Sequence, residues 1–91
     1  MDREQALALL KKHNKEAFHL QHAFTVEKVM GWFARELGFS SEQDFWERVG
    51  LLHDIDFEEF PDRHCEAAPG ILRGAGCDER LIRAVISHGF G

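Results

Sequence analysis

The chain has 91 residues, 44% apolar and 30% charged, the proportions of one globular domain with a core of modest size. Sixteen acidic residues against eleven basic ones leave a net charge of −5, which gives a nucleic acid polymer no electrostatic footprint. No apolar run approaches the roughly 20 residues that span a bilayer, Met1 to Gln5 has no signal-peptide apolar region, and Cys65 and Cys77 are too few for a disulfide framework, so the expectation is one cytoplasmic domain over residues 1–91.

The punctuation predicts about five helical segments and no convincing strand, hence an all-α fold. Asp2 to about His13 reads as the first helix, with Ala6, Leu7, Leu9 and Leu10 apolar and Lys11 and Lys12 suited to its C-terminal end. The longest helix is expected from about Lys15 to Leu37. Steps of three and four place Phe18, His22, Val26, Val29, Phe33 and Leu37 on one face, taken as the inward one, and Gly38 is a natural stop.

Ser40 with Gln43 resembles a capping box that opens the third helix. Phe45, Val49, Leu52, His53 and Asp56 define its inward side. Ile55 to Pro61 breaks regularity. A fourth helix is expected to start near Asp62 and to carry His64, Ala68, Ile71, Leu72 and Ala75 on one stripe. Pro69 lies inside this stretch and should kink the helix or shift its start. Gly74 and Gly76 end it, Asp78 can cap the fifth helix, and Leu81, Val85 and His88 share a face of that last segment.

His53 and Asp54 stand side by side at the end of the third apolar stripe. A neutral imidazole beside a carboxylate offers two metal ligands, and such groups are costly to bury without a partner. A carboxylate near a helix C-terminus also opposes the macrodipole and invites a cation. His22, His64 and His88 fall on the apolar stripes of three other helices. Each alone is more often a structural histidine bonded to a backbone carbonyl. Together with His53 and Asp54 they point to a metal site. His13 and His19 lie off the stripes and read as surface groups. The run Asp56, Glu58, Glu59 reads as solvated, with Asp56 a possible proton acceptor or support for a ligand. Imidazole and carboxylate ligation suits manganese, iron, cobalt, nickel or zinc, and the absence of a cysteine cluster argues against a thiolate-type structural zinc.

The order His22, His53-Asp54, His64, His88 on a helical frame resembles the HD superfamily of metal-dependent phosphohydrolases, and a small bacterial branch of it in particular. The strings that carry this are His22-Ala23-Phe24-Thr25-Val26-Glu27, Gly50-Leu51-Leu52-His53-Asp54-Ile55-Asp56 and Ala84-Val85-Ile86-Ser87-His88, covering about residues 5 to 88. The resemblance implies an HD-like helical bundle in which His22, His53 and Asp54 bind a divalent ion, magnesium being a further possibility. It implies that His64 and His88 hold a second ion or a substrate phosphate, and that His53 and Asp54 are central to hydrolysis of a phosphate ester such as a nucleotide or a small phosphorylated metabolite. The family's remaining ligand is an aspartate on a helix beyond the position of His88. Residues 1–91 carry no such helix, and Asp78 does not match it, so the bundle is expected to be incomplete at its C-terminus. The expected consequence is exposed apolar surface, to which Phe24, Trp32 and Phe33 contribute, and self-association into a homo-oligomer such as a dimer.

Three functions follow from these residues: a metal-dependent phosphohydrolase, with Arg63, Arg73 or Arg83 as candidate phosphate clamps; a non-catalytic metal- or nucleotide-binding module; and a helical interaction domain whose histidines satisfy one another.

Overall fold

The computed structural model describes residues 1–63 and 66–87. Among these the backbone forms five α-helices, two single 3₁₀ turns and no strand, so the expected all-α architecture of about five helices holds. His64 and His88, expected on the fourth and fifth helices, and Cys65 lie outside the described residues.

Helix α1 spans Arg3–His13. Asp2 caps it by accepting a hydrogen bond from the Gln5 backbone, and the Gln5 side chain reaches back to the Asp2 amide. Helix α2 (Ala17–Glu36) ends in a Schellman turn, with Gly38 at φ 86° and the Phe39 amide bonded to the Ala34 carbonyl. The expected capping box at Ser40 does not form. Ser40–Glu42 is instead a 3₁₀ turn leading into α3 (Gln43–Leu52), and the Gln43 side chain is drawn to Glu47. Pro69 shifts the fourth helix as expected: a 3₁₀ turn occupies Pro61–Arg63, and α4 runs over Ala68–Gly74 with Pro69 in its first turn. A second Schellman turn at Gly76 (φ 86°) closes α4, and Asp78 accepts from the Leu81 amide to open α5 (Glu79–Ser87).

The core collects Leu10 from α1, Leu51 and Leu52 from α3, Ile55 beyond it, Leu72 from α4, and Ile82 and Val85 from α5, all essentially inaccessible. Helix α3 is central. It packs most extensively on α2 and also touches α1 and α5, while α4 packs on α5.

The orientation of α2 corrects the expected one. Phe18, Val29, Phe33 and Leu37 are 75, 44, 43 and 60% exposed, and the side turned to α3 carries Ala23, Glu27, Gly31 and Ala34. The inward face uses small residues because the two helices approach closely. A Cβ added at Gly50 would sit 2.7 Å from the Val26 carbonyl oxygen and 3.0 Å from the Glu27 Cα, and one at Gly31 would collide with the Glu47 carboxylate. Ala75, expected on the inner stripe of the fourth helix, is exposed. Glu27, buried on this inner face, is held by two bonds from the Arg3 guanidinium, Nε at 2.8 Å and Nη2 at 3.1 Å.

Candidate metal centre

His22 is one turn before Val26, and His53 is one turn after Gly50, so the close crossing of α2 and α3 sets the spacing between these histidines. His53 itself is the C-cap of α3 and Asp54 the residue after it. His22 Nε2 lies 3.2 Å from His53 Nε2 and 3.4 Å from Asp54 Oδ2, and His53 Nε2 lies 3.1 Å from the same carboxylate oxygen. Neighbouring ligands around a tetrahedral or octahedral ion with bonds of roughly 2.1 Å are separated by about 3.0 to 3.4 Å. The three atoms therefore have the spacing of one face of a coordination sphere.

The tautomer of His53 is set by geometry. Its Nδ1 lies 2.7 Å from the Gly50 carbonyl, which can only accept, so Nδ1 carries a proton; Nε2, facing Asp54 and His22, bears a lone pair when the ring is neutral and donates to Asp54 when it is protonated. Burial is the largest influence on the His53 pKa and pushes it down. The hydrogen bond and charge of Asp54, with the Gly50 carbonyl, outweigh it and leave the pKa above the ordinary histidine value. His53 is 12% exposed at its side chain, Asp54 33% and His22 49%, so the cluster opens to solvent on the His22 side. This corrects the expectation that His22 points into the core. It stands at the edge of the exposed face of α2.

The segment that carries Asp54 is fastened to the start of the chain by bonds that local sequence patterns do not reveal. Buried Asn14 donates from Nδ2 to the carbonyls of Leu10 (3.2 Å) and Ile55 (3.1 Å). Glu58 accepts from the backbone amides of Lys15 and Glu16 and pairs with His19 Nδ1 at 2.9 Å, while His13 pairs with Glu59. The His19 hydrogen bond, followed by that of the Lys15 amide, holds the Glu58 carboxyl below its ordinary pKa. Thus His13 and His19 are hydrogen-bonded to carboxylates rather than free surface groups, and Glu58 and Glu59 are engaged rather than merely solvated. Asp56 is fully buried and accepts from the Ala68 amide at 3.0 Å, tying the turn after α3 to the first residue of α4. That bond positions this turn.

Leu10, Asn14, His19, His22, Ala23, Leu51, Asp54 and Phe57 line a cavity of about 20 Å³ beside the cluster, room for one water molecule. Among the described residues, the only group of three or more histidine, cysteine or acidic side chains with ligand atoms this close (within 4.8 Å) is His22, His53 and Asp54. Arg73 pairs with Glu79 through both Nε and Nη2, which occupies it away from the cluster; nothing places Arg63 or Arg83 there. The contributions expected of His64 and His88 lie outside the described residues. The mid-helix glycines were the one available signal for the missed positioning residues: Gly31 and Gly50 each cost a helix about 1 kcal/mol relative to alanine and so ask for a packing reason. The chain matches no known protein family, no curated protein and no solved structure.

Proposed function

We propose that this chain binds a divalent transition-metal ion at His22, His53 and Asp54 and hydrolyses a phosphate ester there. The observation that carries the reading is the convergence of two imidazole nitrogens and one carboxylate oxygen, from two helices, at 3.1 to 3.4 Å. Three ligands are the protein share typical of catalytic sites, and three is the number that converge among the described residues. The order of the three residues and its likeness to the HD superfamily supply the reaction class. An ion held there contributes Lewis acidity and neutralises charge on phosphoryl oxygens. The chain's own residues do the rest. Gly50 fixes the His53 tautomer, and Asn14 and Glu58 hold the turn that presents Asp54. The open His22 side is where substrate would approach.

A second reading, a non-catalytic metal- or nucleotide-binding module, has one observation in its favour: among the described residues no lysine or arginine lines the cavity beside the cluster to grip a phosphate. Elemental analysis and calorimetric titration with manganese, zinc and nickel separate the readings when combined with turnover of a phosphomonoester, a phosphodiester and a nucleotide panel. Stoichiometric metal and hydrolysis, both lost in His53→Ala, support the enzyme. Metal retained with no turnover on any substrate supports the module. A chain that binds neither metal nor nucleotide sinks both.

A further inference from the structure

Helix α2 is apolar on two opposite sides. One side packs on α3 through Ala23, Gly31 and Ala34, and the other presents Val29, Trp32, Phe33 and Leu37 to solvent at 44, 50, 43 and 60% exposure. Phe39, just past the helix, instead stacks on Trp46 of α3, 5.6 Å between centroids. The rings of Trp32 and Phe33 meet edge to face, 5.1 Å between centroids, and remain open to water. A surface helix of a globular chain buries one stripe, and a helix apolar all round is normally covered on its second side too.

We propose that the C-terminal half of α2 is a two-fold interface with a second copy of this chain. Three arguments converge on a copy of itself as the occupant. The first is area. Four side chains of roughly 200 Å² each, about half exposed, offer roughly 400 Å² per copy. Paired, they bury about 800 Å², the size of a weak, reversible interface.

The second argument is self-complementarity. Val29, Phe33 and Leu37 are evenly spaced at four residues, so a two-fold axis near Phe33, perpendicular to antiparallel helices, sets Val29 against Leu37 twice. The same axis brings Trp32 and Phe33 of one copy onto those of the other.

The third is charge. Lys28 and Glu36 flank Trp32 symmetrically, four residues before it and four after, and both are exposed. Neither makes an ion pair within the copy among the described residues. Antiparallel pairing about Phe33 places Lys28 of each copy about two residues' rise, ~3 Å along the axis, from Glu36 of the other, within reach of the two long side chains. The pair forms twice. The interface leaves His22 uncovered and is independent of what the metal cluster does.

Sedimentation equilibrium of the full chain from about 1 to 200 µM tests this, since an interface of this size gives a dimer of micromolar affinity. A reversible monomer–dimer equilibrium is expected. Lys28→Glu and Glu36→Lys should each weaken it about tenfold by replacing two attractive contacts with two repulsive ones, and the double variant should restore it. Trp32→Ala should weaken it about a hundredfold. All three positions are exposed, and far-UV circular dichroism checks that each variant keeps its helices. A monomer across the whole range overturns the proposal. So does association that ignores the charge swaps, or a monomer whose Trp32 fluorescence shifts on neutral lipid vesicles, which would assign the stripe to a membrane surface.

Discussion

Gly50→Ala tests the link between helix packing and the metal cluster. The new Cβ would lie 2.7 Å from the Val26 carbonyl oxygen, 2.9 Å from Met30 Cγ and 3.0 Å from Glu27 Cα. Met30 can rotate away, but the other two atoms are backbone, so α2 itself must move. Reaching ordinary contact requires roughly 0.7 Å of separation. Overpacking of this kind costs about 1–3 kcal/mol, offset in part by the better helix propensity of alanine, leaving about 1–2 kcal/mol net. For a chain of this size that lowers Tm by roughly 5–15 °C. His22 rides on α2 while His53 and Asp54 follow α3, so the 3.2 Å His22–His53 separation should stretch as the helices part. Metal affinity should then fall about 10- to 100-fold, the usual cost of disturbing the supports of a ligand set. Thermal denaturation in chelator reads the first effect and calorimetric metal titration the second. Gly70→Ala is the control: a Cβ there meets nothing within 4 Å, and the change should be neutral or stabilising by up to about 1 kcal/mol. A Gly50→Ala chain that matches the wild type in both Tm and metal affinity would refute the argument that this crossing positions the site.

Removing Arg3 leaves the buried Glu27 carboxylate without its bidentate partner; because Arg3 is itself half exposed, Arg3→Ala should cost about 1–2 kcal/mol in urea denaturation, and Glu27→Gln should recover part of it. Glu58 has a depressed pKa when folded, so its contribution is present above the unfolded value of about 4.5 and is lost as pH falls through the lower, folded one. Glu58→Gln should therefore be less stable than the wild type at neutral pH, and the two unfolding curves should converge on acidification. His53 titrates with the opposite sign. Its raised pKa makes the Asp54 pairing stabilising in full below 6.5 and lost as pH rises through the folded value, so in chelator Asp54→Asn should flatten that alkaline decline.

Much of the helical frame was legible because its boundaries are written in local chemistry. Gly38 and Gly76 adopt the left-handed turn that ends a helix, Pro69 fits only the first turn of α4, and Asp78 caps α5. The facing of α2 was not legible from periodicity. Its large apolar residues and its small ones both recur at helical spacing, and close packing against α3 selects the small set, Ala23, Gly31 and Ala34, for the inside. The cluster was legible at His53-Asp54, where two adjacent polar groups end an apolar stripe. His22 joined it on the argument of an inward stripe, which the fold reverses; it reaches the site because α2 and α3 nearly touch one turn away. The ties made by Asn14, Glu58 and Asp56 link residues 12 to 43 positions apart, and no local pattern encodes such pairs.

The distances at the cluster admit two stabilising occupants, a proton and a metal ion, and the two compete for the same atoms. A proton on His53 strengthens its contact with Asp54, so without metal the cluster stabilises the fold most at low pH. A metal needs both imidazoles neutral, so its contribution grows as pH rises and adds stability in proportion to the logarithm of its free concentration. The two linkages have opposite slopes. A group of histidines that merely bond to one another and to Asp54 would show only the first, with added manganese or zinc leaving Tm unchanged at every pH. A ligand set would show the difference between metal and chelator widening from pH 5.5 to 8, roughly the range in which histidine loses its proton. The proton's preference for this site is therefore no argument against an ion. It is what three converging ligand atoms should display when the ion is withheld.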